Sequence, residues 1–160
     1  MEGYKRVFRD ENIMIGYGNT IFYTVAGTLL NLCMTLTAGY ALSKKDLPGR
    51  SFIMGYLLVT MYFSGGMIPS YILIKKLGLL DSRLVLIIVG AVSVYNLIIS
   101  RTFFQGIPKE LEEAALIDGC TTARTFVQIV IPLSKALIGV MTLYYGVGHW
   151  NSYFNALIYL

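Results

Sequence analysis

Four long stretches of the chain carry no Asp, Glu, Lys or Arg: residues 12–43, 51–74, 84–100 and 136–160. A bilayer core takes about 20 mainly apolar residues, so each stretch can supply a crossing, the third with Thr102–Phe104 added. The pattern predicts helical spans at about 20–42, 52–74, 83–104 and 133–149. Residues after Trp150 read as a loop leading towards a further crossing. A soluble domain of this size cannot bury four such helices in succession. The expected class is therefore all-α, a polytopic transmembrane helix bundle.

One segment breaks the pattern. Four of the nine acidic residues crowd into Glu110–Asp118, inside a predicted insert at 105–132. Pro108 suits the first turn of a helix, where its missing N–H would be unpaired in any case. Glu110, Glu112 and Glu113 follow where carboxylates favour the positive end of the helix dipole. On a 3.6-residue period Leu111, Ala114, Ala115 and Asp118 share a face, small in its middle, against which another surface can come close. Gly119 supplies the backbone freedom that ends a helix. Thr121 or Thr122 can cap a second helix. There Phe126, Ile129, Val130 and Leu133 form an apolar face, and Pro132 marks the junction with the next span. The insert is a helix–turn–helix knob at the membrane surface. Taken alone it is either a solvated connection or a functional grip, and its length favours function.

Composition agrees with a lipid-embedded chain. Only 14% of residues are charged, against about 25% in soluble domains. Glycines are scattered through the spans, where small residues let helix backbones approach. The net charge of +4 is dispersed, which excludes the basic stripe of a nucleic-acid binder. Cys33 lies in an apolar run and Cys120 in the insert, so no disulfide is expected. With one histidine, His149, there is no metal-ligand spacing. No catalytic set and no phosphate-binding G-x-x-x-x-G-K-[ST] is present, so neither an enzyme nor an ATPase is expected. The opening "MEGYKRVFRDEN" lacks an apolar run after a short basic lead, so it does not read as a signal peptide. Lys and Arg divide six against seven between the two sides of a four-span topology, which leaves orientation open.

The stretch "EAALIDGCTTARTFVQIVIP" resembles the EAA loop of inner-membrane permeases in binding-protein-dependent ABC importers, the MetI-like family. Glu113, Ala114, Ala115, Gly119, Ile129 and Pro132 fit the family spacing, with Ile131 where Leu is usual. "GYGNTIFYTVAGT", "AGYALSKKDLPGR", "FSGGMIPSYILIKKLGLLDS" and "GHWNSYFNALIYL" are similar to the oligosaccharide-uptake branch, the maltose and polysaccharide type. Such permeases have more spans than the four read here, so the resemblance implies a fragment, residues 1–160 being a partial permease domain.

The resemblance implies a multi-pass subunit of the bacterial cytoplasmic (inner) membrane. Its loop, a cytoplasmic coupling helix, would dock on a separate ABC ATPase subunit, which would bind the ATP; no cofactor or metal is implied for this chain. A second permease subunit, an extracytoplasmic solute-binding protein and membrane lipid are the other implied partners. Residues 1–19 and 75–83 would lie outside, 43–50 and 105–132 inside. Glu112, Glu113 and Asp118 would meet basic or amide groups of the ATPase. Ala114, Ala115 and Gly119 would permit close contact and the bend, and Phe126 and Ile129 would anchor the second helix to the bundle. Gly65, Gly66 and Pro69, at the "SGGMIP" break, and Tyr62, Tyr95 and Asn96, with Asn31, polar groups inside the spans, are the candidates for a substrate path. The break is either a loosened helix at depth or the end of a span that re-enters as a surface segment. His149 and Trp150 would line the outer mouth. An oligosaccharide is the expected cargo; a peptide or amino-acid importer, or a non-transporting assembly or sensory subunit, is the alternative.

Overall fold

The structure is a computed structural model that describes residues 11–160. The polar stretch 1–10, placed outside the membrane by the sequence reading, lies outside the described residues. Among the described residues every regular element is helical. In chain order these are α1 (Glu11–Ser43), α2 (Arg50–Tyr62), α3 (Met67–Lys76), α4 (Arg83–Ile88), α5 (Val94–Gln105) and α6 (Lys109–Ile117). Then come α7 (Thr122–Leu133), α8 (Lys135–Trp150) and α9 (Tyr153–Tyr159).

α1 is the axis of the fold. Its Ile13–Ser43 portion, 31 residues, is long and apolar enough to cross a membrane by itself. α2 with α3, and α7 with α8, reach that length only as bent pairs. α1 is also patterned inside out. Thr28, Asn31 and Thr35 are buried at helical spacing, while Ile21, Phe22, Val25 and Leu29 face outward. Lipid tails are as apolar as leucine, so polar and small residues gain most from helix contact there.

Two helices flank this stripe. α8 runs antiparallel to α1: His149 lies beside Gly27 and Asn31, and Tyr145 beside Thr35. α5 runs parallel to it, Gly39 beside Ser100 and Tyr40 beside Phe104. At Gly39 a Cβ would meet the Ser100 Cβ at 2.9 Å and the Arg101 backbone nitrogen at 3.3 Å, so only glycine lets these two helices come so close. The main core joins Leu36, Tyr40, Phe104, Val130, Leu137, Met141 and Tyr145. At the far end of α1, Tyr23 packs with Ile74, Val85, Leu86 and Tyr159.

The spans expected over 52–74, with its marked break, and over 83–104, expected to be continuous, are each interrupted. α2 stops at Tyr62 and α3 leaves it at an angle of 116°. Gly66 sits between them at φ +83°, a conformation that a Cβ disfavours. Pro69 falls in the first turn of α3, where it has no backbone bond to lose. α4 and α5 are separated by residues 89–93, with Gly90 at φ +82°. Ser93 restarts the helix by accepting a hydrogen bond from the Asn96 N–H. The last expected helix begins later, at Lys135, because α7 and α8 meet at 82°.

Candidate functional site

Two sites stand at opposite parts of the α1 axis. The first is the knob made by α6 and α7. Pro108 is the residue before α6 rather than its first turn, and Glu110 and Glu112 occupy that turn. α6 ends at Gly119, φ +78°. There the Cys120 N–H donates to the Ala115 carbonyl at 2.9 Å and the Gly119 N–H to the Leu116 carbonyl at 3.0 Å. This left-handed cap satisfies carbonyls that the helix end would leave free. Thr121, rather than Thr122, caps α7, its hydroxyl accepting from the Arg124 N–H at 3.3 Å.

α7 contains a π-helical turn over Phe126–Val130. Pro132 lacks the N–H that would bond back to Gln128, and its ring crowds that carbonyl. The chain widens by one residue ahead of it, and the Ile131 N–H bonds to Phe126 instead. The wider turn moves the buried face. Val130 is fully enclosed and Phe126 packs on the main core, while Ile129 is half-buried outside that core and Leu133 is exposed. Ile129, expected to anchor this helix, is half-buried, and its neighbour Val130 is the residue that enters the main core. Ser134, also fully buried, closes the junction by donating to the Val130 carbonyl at 2.7 Å.

The faces of α6 differ from the sequence expectation too. Ala115 is turned inward and buried, so Ala114 is the alanine left on the outside. Glu113 and Asp118 are exposed. Between them, Leu116 and Ile117 present 57% and 86% of their surface, an apolar tip framed by carboxylates. Glu112 turns back and forms an ion pair with Lys44, just past the end of α1. Lys44 also lies over the Tyr40 ring, 4.3 Å from its centre. Burial by itself lowers the pKa of this ammonium, but its bonds to Glu112 and Tyr40, with their charge, raise it above the ordinary 10.5. Arg50, opening α2, donates from Nε to the Leu42 carbonyl at 2.9 Å and so covers the free end of α1.

The second site is a cavity of about 280 Å³ among α1, α8 and the break between α4 and α5. Asn31, Ser93, Asn96, Tyr145, His149 and Ser152 supply most of its polar lining. The Asn31 side-chain nitrogen lies 3.1 Å from His149 Nε2. With the amide donating, that ring nitrogen is the acceptor, which leaves the histidine proton on Nδ1. The Tyr145 hydroxyl pairs with Thr35 Oγ1 at 2.6 Å and accepts the Ser93 N–H at 3.3 Å, tying three helices at one oxygen. Asn31 Oδ1 is buried without a hydrogen-bond partner among the described residues. The non-helical backbone between α4 and α5 lines this cavity through Val89, Gly90 and Ser93.

Of the residues expected along a substrate path, the structure brings Asn31 and Asn96 to this cavity. Tyr95 points outward, towards Leu143, Tyr144 and Val147 on α8. Tyr62, Gly65, Gly66 and Pro69 are exposed at the α2–α3 bend and do not line it. His149, expected with Trp150 at the outer mouth, lies against α1 and lines this cavity, while Trp150 is half exposed. Sequence reasoning missed Thr35, Ser93 and Tyr145. The legible signal was the Thr28, Asn31, Thr35 spacing on one face of an otherwise apolar helix.

Comparison with known proteins covers nearly the whole chain. A family model described as "Binding-protein-dependent transport system inner membrane component" matches residues 35–157. Protein LplC of Bacillus subtilis (strain 168) is 44% identical over 160 residues, all of this chain and 54% of LplC. The polygalacturonan/rhamnogalacturonan transport system permease protein YtcP of the same organism is 42% identical, again over 100% of this chain and 56% of YtcP. The arabinooligosaccharides transport system permease protein AraQ of Halalkalibacterium halodurans is 31% identical over 146 residues, 90% of this chain and 52% of AraQ. A crystal structure of a bacterial ABC transporter involved in the import of the acidic polysaccharide alginate contains a chain that superposes with a TM-score of 0.96 at 38% identity. The match covers 98% of this chain and 56% of that one. The chain spans about half the length of the curated relatives it matches.

Proposed function

Because the chain belongs to the binding-protein-dependent transport system inner membrane component family, we propose that it is the core of a permease subunit in an ATP-driven ABC importer of oligosaccharides. The observation that carries this reading is the knob: two short helices at the end of α1, with Leu116 and Ile117 exposed between the carboxylates of Glu113 and Asp118. An apolar tip with a charged rim is the composition of a protein interface, and a separate ATPase subunit is its partner. The chain crosses the membrane more than once, α1 alone and the bent helices in pairs, with the knob on the cytoplasmic side. A second permease subunit completes the pathway, and an extracytoplasmic binding protein delivers the solute. Relatives named for polygalacturonan/rhamnogalacturonan and arabinooligosaccharide transport favour a sugar cargo over a peptide. Amides, hydroxyls and an imidazole around the cavity suit a ligand rich in hydroxyl groups.

The test is retention of the native ATPase by the full-length protein in detergent. Ile117→Asp, at a site 86% exposed, and Glu113→Lys should each weaken retention about tenfold or more, as expected of interface anchors. Unchanged retention by both variants would remove the knob from the interface and the permease reading with it.

A further inference from the structure

We propose that Lys44 and Glu112 form a strut that sets the orientation of the coupling helix α6 and makes it move as one body with α1. This rests on the permease reading above and divides the acidic residues of α6 into two roles. Glu113 faces outward, available to a partner. Glu112, one position earlier and so about 100° around the helix, faces inward. The two paired side chains keep only 30% and 22% of their surface, Lys44 and Glu112 respectively. This is the one ion pair among the described residues.

The surroundings make the pair a structural link rather than a surface contact. α6 buries a single residue, Ala115, so little else holds its angle to the bundle. Lys44 lies against the ring of Tyr40. Tyr40 packs in turn on Phe104, at the end of α5, and on Phe126, in the π turn of α7, with ring centres 5.8 and 4.7 Å away. Both chain segments that carry the knob therefore meet α1 at Tyr40, and Lys44, one helical turn further, reaches the knob itself. Beside the pair is a recess of about 450 Å³ lined by Lys45, Asp46, Lys109 and Glu113, among others. That open side lets α6 swing if the pair is broken. A displacement of α6 would instead pass into α1 and along it to Asn31, about 20 Å away at the rise of a helix.

A charge-reversal cycle in the full-length protein tests this, with two readouts. One is the mobility of a nitroxide label at Ile117→Cys, measured without partners in lipid nanodiscs. The other, without the label, is retention of the native ATPase. Lys44→Glu and Glu112→Lys should each increase label mobility and reduce retention several-fold, and the double reversal should restore both to within about twofold. Glu113→Lys should reduce retention while leaving the label as it was. Wild-type mobility in both single variants, or a double reversal no better than either single change, would overturn the strut. A wild-type protein that retains no ATPase would overturn the permease reading separately, whatever the charge cycle gives.

Discussion

At the scale of single residues, Gly27 and His149 show how a small residue makes room for a polar one. A Cβ on Gly27 would come within 2.5 Å of His149 Cε1 and Nε2. The imidazole would have to move, and it would leave Asn31, which then buries two unmet polar atoms instead of one. Gly27→Ala should therefore destabilise the protein by about 1–3 kcal/mol, the usual cost of overpacking with a lost buried partner. Thermal unfolding in detergent measures it, and an unchanged midpoint would mean that the ring has somewhere else to go. The glycine was legible as a helix-contact residue from sequence. Its partner was not, because His149 follows α1's Gly27 by more than a hundred positions and only antiparallel packing brings them together.

At the scale of elements, the knob was legible almost helix by helix, and its register was not. Acidic residues in the first turn, Gly119 at the end of α6 and Thr121 before α7 are local signals, satisfied by local hydrogen bonds. The inward turn of Ala115 is set by how α6 lies against the rest of the chain, and the full burial of Val130 beside a half-buried Ile129 falls within the π turn ahead of Pro132. Lys44 belongs to the same element by contact, though it lies 68 positions from Glu112. Because its pKa is raised, the Lys44 ammonium binds its proton more tightly in the folded chain than in the unfolded one. Its stabilising contribution is complete below the ordinary lysine value of 10.5 and is lost only as pH rises through the higher folded value. Melting temperatures of wild type and Lys44→Met should differ by a constant amount from neutral pH up to that ordinary value and converge above it. A difference that disappears well below it would contradict the pairing.

At the scale of the whole molecule, α1 joins a knob at one end to a polar cavity further along, and under the proposed permease function each would serve a different stage of transport. Knob substitutions should uncouple the ATPase, whereas cavity substitutions should slow passage of the solute and leave ATPase retention intact. Asn96→Leu and His149→Leu are the expected examples, each lowering oligosaccharide uptake about tenfold, on the scale of one or two lost hydrogen-bonding groups. Uptake by full-length transporter in cells, read together with ATPase retention, checks this. Uptake at the wild-type rate in both variants would detach the cavity from the pathway.

What the amino-acid sequence determined by itself was everything carried by short-range pattern: an all-helical, lipid-soluble chain, an acidic helix–turn–helix insert, and a spacing of Glu113, Ala114, Ala115, Gly119 and Pro132 that points to one family. What only the tertiary structure decided was direction. Hydropathy is blind to a helix that stops and turns, so the break at residues 89–93 passed for a continuous span, and the one at 63–66, marked by its glycines and Pro69, could be read as either a loosened helix or an ended one. A polar side chain in an apolar run carries no label saying whether it faces lipid, a neighbouring helix or a cavity. Asn96 and Tyr95 are adjacent and equally polar by eye, yet one is buried beside the cavity and the other faces outward. That choice is made by the packing of α1, α5 and α8, because the free energy of a polar group in a membrane depends on the partners that distant segments bring to it.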